Sequence, residues 1–152
     1  MSAQIGATAP PFSLKDQDGQ EVILHSMPKR KTLVVFIPFP FTGICEGELC
    51  ELRDNLEELS NMAAQVVVIT CDTRYSNKKW ADQQGINFPI LSDFWPHGQV
   101  AQQYGCFNHT LGVAQRATYV LDSDRVVREI ITTENLSTPR DFQSYDRALQ
   151  QI

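Results

Sequence analysis

Runs of consecutive apolar residues alternate along the chain with segments whose apolar residues recur every three or four positions. Residues 32–39 are almost continuously apolar and β-branched, which is typical of a strand buried on both faces of a central sheet, and residues 66–70 form a second such run. Pro38 and Pro40 end the first run, because proline offers no backbone N–H to a strand ladder. Between the two runs, leucine and alanine recur at helical spacing, which predicts a helix over about residues 43–63.

The rest of the chain continues this alternation. The N-terminal part predicts two short strands around a turn at Asp18-Gly19. The other predicted elements, in chain order, are a helix over 76–84, a short strand over 88–92, a short helix over 98–104, hairpin strands over 117–122 and 126–133, and an amphipathic helix over 141–152. Gly85 and Gly105 are placed to end the two internal helices.

The predicted order of elements, ββ-β-α-β-α-β-α-β-β-α, favours a layered α/β fold. A β-α-β unit followed by a hairpin and a last helix suits a thioredoxin-like fold, with a central mixed β-sheet flanked by helices. No internal repeat or linker interrupts the pattern, so residues 1–152 are predicted to form one domain. Functional residues of such sheets gather beyond the carboxyl ends of strands, and the turn over residues 39–45 lies at such an end.

Composition excludes several classes of protein. Hydrophobic residues make up 42% of the chain and charged residues 20%, which are values of a globular rather than a disordered or fibrous protein. With 13 basic and 18 acidic residues the net charge is −5, so a nucleic-acid backbone is an unfavourable partner. The apolar run over 33–39 is far too short to cross a membrane. The start, MSAQIGATAPPFS, lacks the features of a secretory signal, so we expect a cytoplasmic protein.

The chain has four cysteines, Cys45, Cys50, Cys71 and Cys106. They are too sparse for a disulfide scaffold, and no cysteine or histidine spacing matches a zinc site, so we expect no metal. In a reducing compartment such cysteines are either buried apolar residues or reactive thiols.

Cys45 lies where a thiol can become reactive. If Thr42 is the N-cap, Cys45 is the third helical residue, and its N–H is the one that the capping hydroxyl typically binds. The positive end of the helix dipole favours a thiolate, but by only about 0.3–1 kcal/mol at an exposed site. Six acidic residues of the predicted helix oppose it, against the single Arg53. A cation from elsewhere is therefore required, and Arg116 is the best-placed candidate, since it directly precedes the strand over 117–122.

The pattern Pro38-x-x-x-Thr42-x-x-Cys45 resembles the active-site signature PxxxTxxC of the peroxiredoxins, and it follows a buried strand and opens a helix as in that family. Further segments resemble the alkyl hydroperoxide reductase E subfamily, and together they cover roughly residues 9–131. These segments are FTGICEGEL, LSDFWPHG, Gln103-Tyr104-Gly105 and the stretch from Arg116 to Asp122.

The resemblance implies a thiol peroxidase that uses no metal or organic cofactor. Cys45 would be the peroxidatic cysteine, whose thiolate attacks a peroxide and becomes a sulfenic acid. Thr42 would hold the peroxide, and Arg116 would stabilise the thiolate and the leaving oxygen. Pro38 would shield the site from water, and Glu48 would orient the arginine. From the residues alone, Thr42 is also explained as a plain helix cap and Arg116 as a surface ion-pair partner, and the role of Glu48 stays open.

Cys50 lies five residues after Cys45. On an intact helix their Cα atoms stand about 8–9 Å apart, whereas a disulfide needs less than about 7 Å. Gly47 lies between them and weakens the helix by about 1 kcal/mol relative to alanine, so the segment can open. The same spacing resembles the bacterioferritin-comigratory (PrxQ) branch, in which the second cysteine resolves the first. Our hypothesis is a Cys45–Cys50 disulfide. The alternative is an inert Cys50, with Cys71 or Cys106 as a less favoured resolving residue.

The resemblance also implies partners. A thiol reductant would restore Cys45, namely thioredoxin, a mycoredoxin-like protein or a low-molecular-weight thiol. Relatives form homodimers near the cysteine loop, and four aromatic side chains suit either such an interface or a monomer core: Phe39, Phe41, Phe94 and Trp95. Three other functions are considered: a one-cysteine peroxiredoxin recycled by an external thiol, a thiol–disulfide oxidoreductase, and a non-catalytic redox sensor or chaperone module. The absence of a CxxC motif disfavours the thiol–disulfide oxidoreductase.

Overall fold

Strands and helices alternate along the chain much as the hydrophobic pattern predicts. The structure, a computed structural model, describes residues 2–152. Strands β1 to β9 are Ser13–Lys15, Glu21–Ile23, Lys31–Phe36, Ala64–Thr70, Ile90–Ser92, Phe107–Asn108, Val113–Ala114, Ala117–Leu121 and Val127–Thr132. Helices α1 to α5 are Gly43–Asp54, Leu56–Asn61, Arg74–Gln84, Gln99–Tyr104 and Phe142–Gln150.

Seven of the strands form one mixed sheet in the order β2-β1-β5-β4-β3-β8-β9. The three inner strands β5, β4 and β3 are parallel, and β8, β9, β1 and β2 pair antiparallel with their neighbours. The parallel pair β3 and β4 is joined by a crossover that carries α1 and α2. The predicted mixed α/β sheet is therefore confirmed.

Helices cover both faces of the sheet and create two hydrophobic clusters. Alternate residues of β3 enter different clusters, because successive side chains of a strand point to opposite faces. Leu33 and Val35 pack with α1, α3 and α5, whereas Val34 and Phe36 pack with α4 and the N-terminal strands. Cys45 belongs to the first cluster, which we call the α1 face. Cys71 and Cys106 belong to the second, the α4 face.

One prediction of local structure was wrong, and one pair of strands was missed. The single helix expected over 43–63 breaks at Asn55, whose backbone (φ −110, ψ 16) is not helical and whose side chain donates to the Glu51 carbonyl. The small hairpin of β6 and β7 was missed, because two-residue strands are too short to show an alternating pattern. No helix within residues 2–152 combines the length and apolar character that a membrane span requires.

Candidate active site

The turn between β3 and α1 positions Cys45. Thr42 occupies the N-cap position with extended backbone (φ −89, ψ 155), so Cys45 is the third helical residue as predicted. The expected capping bond from the threonine side chain is wrong. Phe41 has a positive φ of 72, and the turn brings the Phe39 carbonyl to the threonine, whose hydroxyl donates to it at 2.7 Å. The first turn of α1 therefore lacks a side-chain cap.

Arg116 reaches Cys45 from the neighbouring strand. The sheet aligns Phe36, the last residue of β3, with Ala117, the first residue of β8. Arg116, just before β8, thus lies beside the turn that leads into α1. Its Nη2 stands 3.3 Å from Cys45 Sγ. Both residues are buried, with exposures of 3% and 0%.

Glu48 fixes this arginine. It lies three residues after Cys45, on the same face of α1. Its Oε1 accepts from Arg116 Nη1 and, at 2.7 Å, from Arg140 Nη2. Burial by itself would raise the pKa of Glu48, but the hydrogen bonds and charge of Arg140, with the charge of Arg116, hold that pKa below its ordinary value. Glu48 is therefore an ionised carboxylate between two guanidinium groups.

Arg140 is the site residue that the sequence did not reveal. It lies just before α5, and both its backbone N–H and its Nε donate to Glu48 Oε2, at 2.8 and 2.9 Å. Its Nη1 donates to the Thr118 hydroxyl at 3.0 Å, and that hydroxyl pairs with the Tyr145 hydroxyl. No motif marks this position. Its only sequence signal is the need for a second cation near an acid-rich helix.

These contacts form a buried charge cluster of Arg116, Arg140, Glu48 and Cys45. Two guanidinium groups face one carboxylate, so the cluster has one positive charge in excess while the thiol is neutral. A Cys45 thiolate brings the sum to zero. Burying an unbalanced charge is expensive, and the Cys45 sulfur is the group that faces this excess of positive charge.

The acidic residues of α1 and α2, which opposed a thiolate in the sequence, are accommodated. Glu46 accepts hydrogen bonds from Trp80 Nε1 at 3.2 Å and from Gln84 Nε2 at 2.9 Å. The remaining four are exposed to solvent: Glu51, Asp54, Glu57 and Glu58. Solvent weakens the effect of exposed charges on the sulfur, whereas Arg116 acts on it from within the protein.

The other two residues of the PxxxTxxC signature differ in their exposure to solvent. Pro38 is buried and Thr42 is exposed. Phe41 between them is 44% exposed and places its ring 5.9 Å from that of Trp80. Because Cys45 has no solvent contact, a substrate reaches its sulfur only when residues around it move.

The other thiols are distributed unequally around Cys45. Cys50 is half-buried on the same helix, and its Sγ donates to Gln84 Oε1 at 3.2 Å. The helix is continuous from Gly43 to Asp54, which keeps the Cα atoms of Cys45 and Cys50 about 8–9 Å apart. Cys71 and Cys106 lie on the opposite, α4 face of the sheet. Burial raises the pKa of each of these two thiols to about 12.

Within residues 2–152, no group of three or more His, Cys, Asp or Glu side chains is placed to hold a metal ion. The functional groups that the site does offer are a sulfur, two guanidinium groups, a carboxylate and a threonine hydroxyl. This set suits attack by a thiolate on an electrophile whose leaving atom takes up negative charge.

Comparison with known proteins places the chain in a family. Residues 5–130 match the model of the AhpC/TSA family. The chain is similar to alkyl hydroperoxide reductase E of Mycobacterium tuberculosis, with 48% identity over 125 residues and 82% of each chain covered. It is also similar to peroxiredoxin Bcp of Escherichia coli, with 31% identity over 142 residues and 90% of each chain covered.

Solved structures agree. Peroxidoxin BcpB from Mycobacterium tuberculosis superposes with a TM-score of 0.83 at 30% identity, covering 97% of this chain and 95% of that one. AhpC of Enterococcus faecalis gives a TM-score of 0.88 over 99% and 92% of the two chains, and at 23% identity it supports the fold alone. From the family match over most of its length and from these relatives, the chain belongs to the AhpC/TSA family, the peroxiredoxin thiol peroxidases with a thioredoxin-like fold.

Proposed function

We propose that Cys45 is the peroxidatic cysteine of an enzyme that reduces hydrogen peroxide and organic hydroperoxides. One observation carries the proposal: Arg116 Nη2 lies 3.3 Å from the buried sulfur, in a cluster whose excess positive charge a thiolate balances. The relatives named alkyl hydroperoxide reductase and peroxiredoxin support the choice of peroxides as substrates.

The first step is a two-electron oxidation of sulfur. The Cys45 thiolate attacks the terminal peroxide oxygen, so that an S–O bond forms while the O–O bond breaks. The other oxygen leaves with the bonding electron pair and takes up a proton, becoming water or an alcohol. Arg116 stabilises the charge that develops on this leaving oxygen. Thr42 turns its hydroxyl from the Phe39 carbonyl toward the peroxide, and Pro38 keeps water from the sulfur.

In the second step Cys50 resolves the sulfenic acid. Its thiolate attacks the Cys45 sulfur, a disulfide forms, and the hydroxyl leaves as water after protonation. Because α1 holds the two cysteines too far apart, its first turns unwind and Cys50 leaves Gln84. The placement of Cys71 and Cys106 on the opposite face of the sheet favours Cys50 over either of them. Gly47 provides the weak point, since it lies exposed within the helix.

A thiol partner completes the cycle. The proposed reductants are thioredoxin, a mycoredoxin-like protein or a low-molecular-weight thiol. Thioredoxin acts on the disulfide, whereas in a one-cysteine cycle the mycoredoxin-like protein or the low-molecular-weight thiol acts on the sulfenic acid. A cytoplasmic location is part of the proposal, because the cycle begins from free thiols.

We also propose that the protein forms a homodimer. Three of its candidate interface residues are exposed, Phe41, Phe94 and Trp95, whereas Phe39 packs against the core of the α1 face.

Peroxide consumption by the wild type, Cys45→Ser and Cys50→Ser tests these assignments. With dithiothreitol as reductant, Cys45→Ser should lose turnover, whereas Cys50→Ser should keep it. With thioredoxin, Cys50→Ser should lose turnover as well, because that partner needs a disulfide. Activity that survives in Cys45→Ser would contradict the peroxidatic assignment. Turnover absent from the wild type with every reductant would favour a redox sensor, and efficient insulin reduction would favour a thiol–disulfide oxidoreductase.

The mass of the intact protein tests the resolving step separately. After one equivalent of hydrogen peroxide, the wild type should lose the mass of two hydrogens through disulfide formation. Cys50→Ser should instead gain the mass of one oxygen atom. A stable added oxygen in the wild type would replace the disulfide cycle by a one-cysteine cycle.

A further inference from the structure

Residues 133–140, in the connection between β9 and α5, contact the charge cluster at two points. In the middle of these residues, the Leu136 carbonyl accepts hydrogen bonds from Arg116 Nε at 3.1 Å and from Arg116 Nη2 at 2.6 Å. At their C-terminal end, Arg140 donates from its backbone and its side chain to Glu48. We call residues 133–140 the connecting segment.

The Leu136 carbonyl completes the fixation of Arg116. Glu48 holds Nη1, and the carbonyl holds the edge formed by Nε and Nη2. A guanidinium is planar and rigid, so contacts to all three nitrogens define its plane. The remaining hydrogen of Nη2 is then available to the Cys45 sulfur, 3.3 Å away.

Asn135 organises the turn that presents this carbonyl. Its Oδ1 accepts from the Ser137 backbone N–H at 3.0 Å, from the Ser137 hydroxyl at 2.6 Å and from the Thr138 hydroxyl at 3.0 Å. Its own carbonyl accepts from the Thr133 hydroxyl at 2.9 Å. Asn135, which immediately precedes Leu136, therefore forms hydrogen bonds with residues on both sides of the turn.

We propose that Asn135 is a positioning residue that acts through the Leu136 carbonyl to aim Arg116 at Cys45. This inference rests on the proposed peroxidase function and extends it to a residue that lies outside the PxxxTxxC signature. Asn135 itself is exposed, and its side-chain hydrogen bonds are to Ser137 and Thr138 rather than to Arg116 or Cys45. Its effect is geometric: without the side-chain amide the turn loosens, the carbonyl leaves Arg116, and the guanidinium loses its fixed plane.

The test compares Asn135→Ala with Asn135→Asp and Asn108→Ala. Asn108 is a matched control, because its Oδ1 also organises a turn, accepting from the N–H groups of Thr110 and Leu111, but within residues 2–152 it forms no hydrogen bond to Arg116 or Leu136. In Asn135→Asp the carboxylate keeps an acceptor for the same three donors. Stopped-flow kinetics with hydrogen peroxide gives the rate of Cys45 oxidation, and iodoacetamide gives the rate of its alkylation.

Asn135→Ala should slow oxidation by about ten- to a hundredfold, because small displacements of a stabilising group have effects of this size. Alkylation should fall by less, since it develops no charge on a leaving peroxide oxygen. Asn135→Asp and Asn108→Ala should both stay within about threefold of the wild type. A purely structural role would instead expose Cys45 and raise its alkylation.

Four results would overturn the inference: an unchanged or faster oxidation in Asn135→Ala, an equal loss in Asn135→Asp, an equal loss in Asn108→Ala, or a raised alkylation rate. The proposed function fails independently of all four, because its own test is the loss of oxidation in Cys45→Ser. If Cys45→Ser is inactive and Asn135→Ala is fully active, the peroxidase assignment stands and the role of Asn135 does not.

Discussion

At the scale of single residues, Cys45 is placed against a buried excess of positive charge. Arg116 and Arg140 share one carboxylate, Glu48, and all three side chains are nearly removed from solvent. A guanidinium does not lose its proton in proteins, so the excess charge can be balanced only by a neighbouring anion. Cys45 lies at that position.

Replacing Arg116 tests this balance. Arg116→Ala leaves Glu48 paired with Arg140 but removes the cation from the sulfur. Oxidation of Cys45 by peroxide should fall by about a hundred- to a thousandfold, the usual effect of losing one group that stabilises developing charge. Stopped-flow fluorescence measures the rate. Arg128→Ala is the control, because Arg128 is exposed and pairs with Asp122 at 2.8 Å. A loss below about threefold in Arg116→Ala would contradict the role.

Glu48→Gln tests the depressed pKa of the buried carboxyl. The folded protein holds the Glu48 pKa below its unfolded value, so its charge contributes stability that is fully present above the unfolded pKa and is lost as pH falls through the folded one. Near pH 7 the variant should be less stable by about 3–5 kcal/mol, because two buried cations lose their partner.

Urea unfolding at a series of pH values measures this difference. The difference in stability between the wild type and Glu48→Gln should shrink as pH falls below about 4.5, the ordinary pKa of a glutamate. It should nearly vanish once Glu48 is protonated. Glu129→Gln, at an exposed position, should change stability by no more than about 0.5 kcal/mol at every pH. A constant difference between the wild type and Glu48→Gln would show that the carboxylate charge is not what stabilises the cluster.

The site residues differ in how well the sequence predicts them. Cys45, Thr42 and Pro38 form a local pattern, and Arg116 is predicted because a strand start is a fixed place in the fold. Arg140 and Leu136 act from a connection without regular structure, and Leu136 acts through a carbonyl that every residue has. The prediction that the Thr42 side chain caps the helix was wrong, because the backbone conformation of Phe41 brings the Phe39 carbonyl to the Thr42 hydroxyl.

At the scale of elements, the contact between α1 and α3 opposes the opening that a Cys45–Cys50 disulfide requires. Gln84, the last residue of α3, binds Cys50 and Glu46 through its side chain and Arg53 through its carbonyl. Trp80 adds a bond to Glu46. The helix is thus held by its neighbour along one side, while Gly47 on its exposed side weakens it from within.

Gly47→Ala should therefore slow the resolving step. A Cβ at Gly47 meets nothing within 4 Å, and alanine stabilises a helix interior by about 0.5–1 kcal/mol relative to glycine. If the helix must unwind before the disulfide forms, its formation should slow by about two- to fivefold, with little change in the oxidation of Cys45. Stopped-flow fluorescence separates the two phases. Gln83→Ala, at an exposed site in α3, is the control for general helix stabilisation. An unchanged rate of disulfide formation in Gly47→Ala would argue against unwinding of the helix.

At the scale of the whole molecule, the sheet separates Cys45 from Cys71 and Cys106. Strand β3 sends alternate side chains to the α1 face and the α4 face, so Cys45 and the pair of Cys71 and Cys106 lie in different clusters. Burial raises the pKa of both α4-face thiols to about 12, which leaves about one part in ten thousand as thiolate at pH 8.

Alkylation of the native protein tests this separation. With iodoacetamide at pH 8, the half-buried Cys50 should be labelled well before Cys71 and Cys106, and peptide mass spectrometry reports each site. Labelling of all four cysteines after denaturation is the control. If Cys71 or Cys106 reacted as fast as Cys50 in the folded protein, the α4 face would be open to reagents and either thiol could take part in the cycle.

The fold was largely predictable because its main elements carry strong periodicity. Strands β3 and β4 are covered on both faces and are therefore continuously apolar, and α5 shows an amphipathic pattern capped by Asp141, whose side chain accepts from the Gln143 N–H. The break at Asn55 was not predictable, because the apolar positions continue in helical phase across it. Tertiary contacts decide such boundaries, whereas the pattern along the chain decides which elements exist.

The peroxidatic role of Cys45 is tested most directly by its oxidation rate when the protein is mixed with an equal concentration of hydrogen peroxide in a stopped-flow instrument. We expect one equivalent of peroxide to be consumed, at a rate at least about a thousandfold above that of free cysteine, and no reaction in Cys45→Ser. A wild-type rate close to that of free cysteine, or an equal rate in Cys45→Ser, would contradict that role.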